Sequence, residues 1–533
     1  MTKRPGVLIA VGATVAGLVT VAPPPATADT GAGPATARLR WTDCGTDAQP
    51  RLQCASVGTP LDHDDPSGRR ITLALTRIPH TAKTFQGPLL VNPGGPGGSG
   101  RSMAGFVASA LPKAVAAQYD VIGFDPRGVG RSRPALDCVP QYFDPPRPGS
   151  VPDTPGVEQA NRNRARSFAR ACGEKYPDLL PHMDTVSAAK DLDVIRRATG
   201  ADTLNYFGYS YGTYLGAVYA KLFPERVRRL VLDSNVDPEG VWYEDNIGQN
   251  YAFDARHKAF AAWVAKHDSA YRLGSDPAKV ERAWYAMRAA VAAHPAGGKV
   301  GAGELEDTFL PGGYYNGYWP RLADAFAGYV NDHDEGALVK AYERFGVVDA
   351  EGDNGYSVYS AVQCRDTPWP RRWNTWRNDS LRVEAKAPFS TWNNTWYNAP
   401  CADWPVEPLN PPRVSNRNLP PVLLFQATDD AATPYEGAVT MHRRLHGSSL
   451  VVEQGGGNHG ITLSGNDCLD TYLTDYLAKG TVPRGGGSRS EADAVCAKSP
   501  DPTPTTGRAA KSARAAEARS RGSVLHRLLG FRG

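Results

Sequence analysis

Past residue 28 the sequence contains no apolar run near the ~20 residues that a membrane-spanning helix needs, so nothing in the body reads as a transmembrane segment. None of the eight cysteines stands in C-x-x-C spacing, which sets aside a thiolate zinc site. The glycine-rich run after Asn92 is not followed by Gly-Lys-Ser or Gly-Lys-Thr, as a phosphate-cradling loop requires. The body also lacks an excess of positive charge. Formal net charge is +4 over 533 residues, yet Lys3, Arg4 and the eight Lys and Arg of residues 498–533 carry it, and residues 29–497 sum to −4. That balance excludes a nucleic-acid-binding body. These absences leave no cofactor and no metal to expect.

What is present begins with a charged start and an apolar run. Lys3 and Arg4 precede apolar residues 7–21, and Ala26-Thr27-Ala28 is a small-x-small cleavage site. This is the pattern of a secretory signal over residues 1–28, cleaved after Ala28, and the expected location is extracellular. Eight cysteines in an exported chain point to disulfides. Eight allow about 105 pairings; proximity suggests Cys44–Cys54, Cys138–Cys172, Cys364–Cys401 and Cys468–Cys496.

Short apolar runs recur at residues 71–78, 88–92, 119–124, 204–207, 229–233, 421–427 and 449–453, with helical patterns between several of them. That rhythm predicts βαβ units and an α/β fold with a mostly parallel central sheet. It breaks after Asn235. Ten of the eleven tryptophans lie between Trp242 and Trp404, among helical patterns at 253–266 and 277–293. We read residues 29–237 and 416–497 as two parts of one α/β core and 238–415 as an inserted, mostly helical cap. Residues 498–533 read as a basic disordered tail. Most cap aromatics fill a core, and a subset lines a cleft, where aromatic walls suit peptide or apolar substrates. Residues 524–531 have the pattern of a short amphipathic helix whose partner would be an anionic surface.

The chemistry centres on Gly208-Tyr209-Ser210-Tyr211-Gly212, where an apolar strand runs into a helix. In a G-x-S-x-G turn the serine is exposed on a sharp strand-to-helix bend, and glycines flank it because strand end and helix start approach closely. A serine hydroxyl needs a base, and the base an orienting acid. His459 stands between glycines at a later strand end, whereas His442 and His446 lie in a helical pattern and read as surface residues. The acid is read as Asp430, which leaves its strand at Asp-Ala-Ala-Thr-Pro; Asp429 and Asp233 are the alternatives. The order Ser210, Asp430, His459 is the one an α/β-hydrolase topology requires. An oxyanion would be met by the Tyr211 N–H at the helix start and by the Gly95 N–H, since Pro96 in the same loop has none. Asp125 and Arg127 are expected to hold their turn as a charge-assisted pair.

The set Pro93-Gly94-Gly95-Pro96-Gly97, Asp125-Pro126-Arg127-Gly128-Val129-Gly130-Arg131-Ser132, Gly208-Tyr209-Ser210-Tyr211-Gly212, Asp430-Ala431-Ala432-Thr433-Pro434 and Asn458-His459-Gly460 resembles the secreted tripeptidyl aminopeptidases of actinomycetes, in the prolyl-iminopeptidase group of α/β-hydrolases. The resemblance runs to about residue 497 and departs from the group's usual His-Gly-Gly-Pro-Gly at Pro93. It implies an α/β-hydrolase fold and release of tripeptides or similar short units from the free N-terminus of a peptide or protein; a monomer is expected. A secreted carboxylesterase or lipase-like hydrolase with the same triad is the alternative. An exopeptidase must neutralise the substrate's α-ammonium, and the cap offers Glu239, Glu244, Asp245 and Asp366 for that role.

Overall fold

The computed structural model describes residues 38–485, 492–504 and 520–529; the expected signal segment, residues 1–28, lies outside them. Among the described residues ten strands form a single sheet. They are β1 (Thr42–Asp43), β2 (Gln53–Pro60), β3 (Arg70–Ile78), β4 (Pro88–Asn92), β5 (Asp120–Phe124), β6 (Leu204–Tyr209), β7 (Val227–Asp233), β8 (Val422–Ala427), β9 (Ser448–Gln454) and β10 (Ala494–Ala497). Their spatial order is β1-β2-β3-β5-β4-β6-β7-β8-β9-β10. From β5 to β10 every neighbouring pair is parallel. β1, β2 and β3 join antiparallel at one edge.

Burial follows this arrangement. Every residue of β4, β6 and β8 is buried, as strands covered on both faces must be, and they accordingly read as largely apolar runs broken by one buried amide each, Asn92, Asn205 and Gln426. β3 alternates buried and exposed residues over its first half, the signature of a strand with one wet face. Period-two alternation divides β6 between two cores: Leu204 and Tyr206 pack on one side of the sheet, and Phe207 and Tyr209 on the other. The helix Thr185–Thr199 feeds β6. Its N-terminus is capped by the Asp184 side chain, which accepts from the Ser187 N–H, and its C-terminus by Gly200 at φ +79°, a left-handed turn that glycine adopts without a Cβ penalty.

Between β7 and β8 the described chain contains helices and no strand, from Tyr243–Lys266 through Thr391–Asn398. All four disulfides suggested by proximity are formed. Cys468–Cys496 joins the helix Asp467–Lys479 to β10, an edge strand too short and too near a Gly-rich run to stand out in the sequence.

Three expectations are corrected. Asp125 and Arg127 do not pair: Asp125 accepts from Ser99 Oγ (2.7 Å) and the Arg131 N–H (2.8 Å). Arg127 instead forms a two-pronged pair with buried Asp191, Nε–Oδ2 2.7 Å and Nη2–Oδ1 2.8 Å. A planar guanidinium favours that bidentate match, and Asp191 sits on a helix distant in sequence, where spacing gives no hint of it. His442 is buried, its Nδ1 2.8 Å from Ser448 Oγ. The tail is ordered where it is described. Trp263 Nε1 donates to the Pro502 carbonyl (2.9 Å), and Arg521–Leu529 is a helix with Leu525, His526 and Leu529 buried. Burying each leucine is worth about 1.5–3 kcal/mol. The apolar face expected to meet an anionic surface is thus occupied inside the molecule, with Arg521 and Arg527 on the outside.

Candidate active site

The parallel strands end at one rim, and the connections that leave β4, β6, β8 and β9 there carry the residues singled out in the sequence. The turn after β6 carries Ser210. Ser210 sits at φ +56°, ψ −129° and opens the helix Tyr211–Leu222, yet its side chain makes no capping bond to that helix. A non-glycine residue in this region is strained by about 1–3 kcal/mol, and the surroundings hold it there. The Ser210 N–H donates to the Asp233 carbonyl of β7 (3.0 Å). A Cβ on Gly208 would lie 2.4 Å from the Gly212 carbonyl oxygen, and one on Gly212 would lie 2.8 Å from Asn92 Oδ1. Both glycines of the motif are therefore required by close approach, Gly208 to main chain and Gly212 to Asn92.

The loop after β4 lies against this turn. Gly94 adopts φ +99°, and a Cβ there would stand 2.7 Å from the Tyr209 oxygen, 2.8 Å from Ser210 Cβ and 3.0 Å from the Tyr211 nitrogen. Asn92 Oδ1 accepts from the Gly94 N–H (3.0 Å) and fixes the loop's start. The Tyr211 amide, at the positive end of its helix, and the Gly95 main chain thus both border the space in front of Ser210. Two N–H groups so placed could meet a developing oxyanion.

His459 and Asp430 come from the two following strand ends. His459 Nδ1 lies 3.0 and 2.9 Å from Asp430 Oδ1 and Oδ2. The Asp430 carboxylate also accepts from the N–H groups of Ala432 (2.9 Å) and Thr433 (3.1 Å) and from Thr433 Oγ1 (3.0 Å). With Nδ1–H donated to the carboxylate, Nε2 is left as the basic nitrogen. The alternatives separate cleanly. Asp429 is exposed. Asp233 is buried, and burial raises its carboxyl to about 6. It is fully engaged in accepting from the N–H groups of Ile461 and Thr462 and from Thr462 Oγ1. Beside it, Ser234 Oγ accepts from the Gly460 N–H (2.7 Å). Asp233 and Ser234 therefore hold the loop that carries His459 and do not touch its ring nitrogens. These supports, together with the Tyr314 carbonyl that accepts from the His459 N–H (2.8 Å), were missed by sequence reasoning; the Ser-Asn that follows Asp233 is the one local signal.

Gly95, Ser210, Tyr211 and His459 line one cavity of about 360 Å³, within the range of small-ligand sites. Asp430 stands behind His459. The insertion supplies much of the wall: Trp242, Phe253, Tyr314, Tyr359 and Tyr397, together with the amide-bearing Asn246, Gln249 and Asn394. One end is acidic, with Asp237, Glu244, Asp245 and Glu436 in the lining. Asp245 is half-buried, and its Oδ2 is shielded from solvent without a hydrogen-bond partner among the described residues. Burial, then the neighbouring Asp237 and Glu244 carboxylates, push the Asp245 carboxyl well above the ordinary aspartate value.

Of the four carboxylates expected to meet an ammonium, Glu244 and Asp245 are in the lining, and the other two are elsewhere. Glu239 is exposed and paired with Arg444. Asp366 is buried away from the cavity lining, accepting from the Thr185 N–H (2.7 Å), Thr185 Oγ1 (2.6 Å) and Trp242 Nε1 (3.1 Å). Its desolvation raises the carboxyl to about 7. Thr185 Oγ1 in turn meets the Tyr211 hydroxyl at 2.9 Å. Asp366 therefore orients two rings of the cavity wall.

Residues 87–462 match the alpha/beta hydrolase fold. The tripeptidyl aminopeptidase of Streptomyces lividans is 44% identical over 487 residues, covering 88% of each chain. Serine protease Hip1 of Mycobacterium tuberculosis is 34% identical over 476 residues, 84% of this chain and 90% of that one. Carboxylesterase B of the same organism is 33% identical over 520 residues, 90% of this chain and 97% of that one.

Proposed function

The chain belongs to the alpha/beta hydrolase family, and from that premise we propose that it is a serine peptidase that removes short units, tripeptides or similar, from the free N-terminus of a peptide. The observation that carries this reading is the acidic end of the cavity. Asp245 lines the same cavity as Ser210 and His459, and its Oδ2 has no hydrogen-bond partner among the described residues. An α-ammonium is the substrate group that answers it, because an ion pair with hydrogen bonds offsets the desolvation of both charges. An acyl chain does not.

In this reading Ser210 Oγ attacks the carbonyl carbon of the scissile bond while its proton passes to His459 Nε2. The carbonyl oxygen becomes an oxyanion held by the N–H groups of Gly95 and Tyr211. His459 then gives the proton to the departing amine as the C–N bond breaks, leaving an ester on Ser210. Water repeats the sequence: His459 takes its proton, hydroxide adds to the ester carbon, and the proton returns to Ser210 as the short peptide leaves with a free carboxylate. Asp430 holds the imidazole in the required tautomer throughout. The insertion's amides meet the substrate's main chain, and the four disulfides support an oxidising, extracellular setting.

The test is a panel of mono-, di- and tripeptidyl arylamides, each free and N-acetylated, with an acyl ester alongside. The expected result is turnover of free tripeptidyl substrates and loss of at least tenfold in kcat/KM on acetylation. Indifference to acetylation with faster ester turnover would favour the esterase reading, which the 33% identity to a carboxylesterase also supports.

A further inference from the structure

The C-terminal helix Arg521–Leu529 is unused by the reaction described above, yet it reaches the cavity. Leu529 lines the cavity together with Ser210 and His459. A Cβ on Gly460, the residue after the histidine, would lie 2.5 Å from Leu529 Cδ1 and 3.8 Å from Leu525 Cδ2. The His526 ring stacks on Tyr315 at 4.1 Å and 14°, and its Nδ1 is 2.7 Å from the Gly522 carbonyl. The helix belongs to the apolar cluster that contains Phe207, Tyr209, Ile461 and Leu463. Val236, Val241 and Trp242, the chain neighbours of the acidic lining residues, belong instead to the cluster on the other side of the sheet, with Leu204 and Tyr206.

These positions divide the cavity. The substrate's N-terminus is drawn to the Asp245 end. The departing amine takes its proton from His459 and therefore lies on the histidine's side, where Leu529 stands. We propose that Leu529, presented by this helix, is a specificity-determining residue that restricts the leaving-group side. A small amine or short peptide departs past it, and the continuing chain of a long polypeptide is excluded while the helix is seated. This rests on the aminopeptidase reading above and adds to it the class of substrate, short peptides rather than protein N-termini.

The experiment compares the full chain with Leu525→Glu, which places a charge on a fully buried position of the helix and so unseats it without altering the cavity lining directly. Two substrates share one free tripeptide, one ending in an arylamide and one continuing for ten residues. In the parent, kcat/KM for the extended peptide is expected at least tenfold below that for the arylamide. In Leu525→Glu the gap is expected to close by tenfold or more, with the arylamide rate within about threefold of the parent. Tyr315→Ala, which loosens the helix from the body's side, should act in the same direction. A parent that cleaves both substrates equally, or variants in which both rates fall together, would overturn the proposal. A second readout does not depend on the substrate class: labelling of Ser210 by a small fluorophosphonate and by one carrying a bulky tether. The small probe should react with every form and the bulky one faster, by tenfold or more, with the unseated helix. If the small probe labels Ser210 and no tripeptidyl substrate turns over, the peptidase reading fails while the bulky probe still decides the helix. Equal bulky-probe rates in all forms would overturn the helix proposal alone.

Discussion

Ser210 and Asp245 line the same cavity, but the two regions that present them are built differently. The strand-end region is held by bonds that end on main-chain groups. Asp233 and Ser234 accept from N–H groups of residues 460–462, the Ser210 N–H meets a β7 carbonyl, and three glycines stand where no Cβ fits. The helical insertion is held by side-chain amides. Asn246 Nδ2 reaches Gln363 Oε1 (3.2 Å), Asn394 Nδ2 reaches Asn250 Oδ1 (3.1 Å), and Tyr359 OH donates to Asn398 Oδ1 (2.8 Å). Main-chain scaffolding fixes atoms to a fraction of an ångström and admits few substitutions. A side-chain network can be rewired residue by residue, so chemistry and selectivity sit on frameworks of unequal tolerance.

The largest effect expected from breaking this contrast is at the nucleophile. Ser210→Ala should lower kcat by about 10⁴-fold or more, with an unchanged circular dichroism spectrum; residual activity near wild type would mean another nucleophile. Gly94→Ala comes next. It forces a Cβ within 2.8 Å of Ser210 Cβ at a φ of +99° and displaces the loop that supplies an oxyanion donor, an interaction whose loss costs about 10²–10³ in kcat. Single-turnover kinetics would locate the loss in the chemical step. On the insertion side, Asp245→Asn should leave kcat for N-acetylated substrates untouched and raise KM for free-amine substrates by about 10–100-fold, the equivalent of one charged hydrogen bond at about 1.5–3 kcal/mol.

A separate effect, on stability and not on turnover, concerns pH. Asp366 is buried with its carboxyl raised to about 7 from an ordinary 3.8. The native state therefore keeps a proton between about pH 4 and pH 7 that the unfolded state gives up. Stability from this group is lost as pH rises through that window, by an amount on the order of 4 kcal/mol. Asp366→Asn removes the titration along with some hydrogen bonds, so the wild-type advantage in Tm should narrow from pH 4.5 to pH 8. A difference that is flat or widens would show that the carboxyl is ionised throughout.

The same division explains what the sequence made visible. Gly208, Gly212 and the order Ser210, Asp430, His459 are local spacings, and local spacings report main-chain geometry directly. The parallel sheet was visible for the same reason, through apolar runs with turn residues at both ends. The Arg127–Asp191 pair, the burial of Asp366 and the seating of the helix Arg521–Leu529 join segments far apart in sequence, and no periodicity encodes such meetings. Charge composition misled most at the tail, where eight basic residues turned the apolar face of residues 524–531 toward an expected anionic surface instead of the molecule's own interior. Asp245 could be named only as one of four candidate acids, because the feature that distinguishes it, a shielded oxygen without a partner among the described residues, exists only after packing.

The hydrogen bond from Gly460 to Ser234 spans 226 residues, and it bears on biosynthesis. Translation adds about 5–20 residues per second, so the nucleophile's strand emerges roughly ten seconds or more before the segment that brings the base. Until β8 and β9 dock beside β7, His459 has neither Asp430 to orient it nor Ser234 to anchor its loop. A nascent or still-unfolded chain therefore carries its serine without a catalyst to activate it, and the polypeptides around it during synthesis are not exposed to a working peptidase.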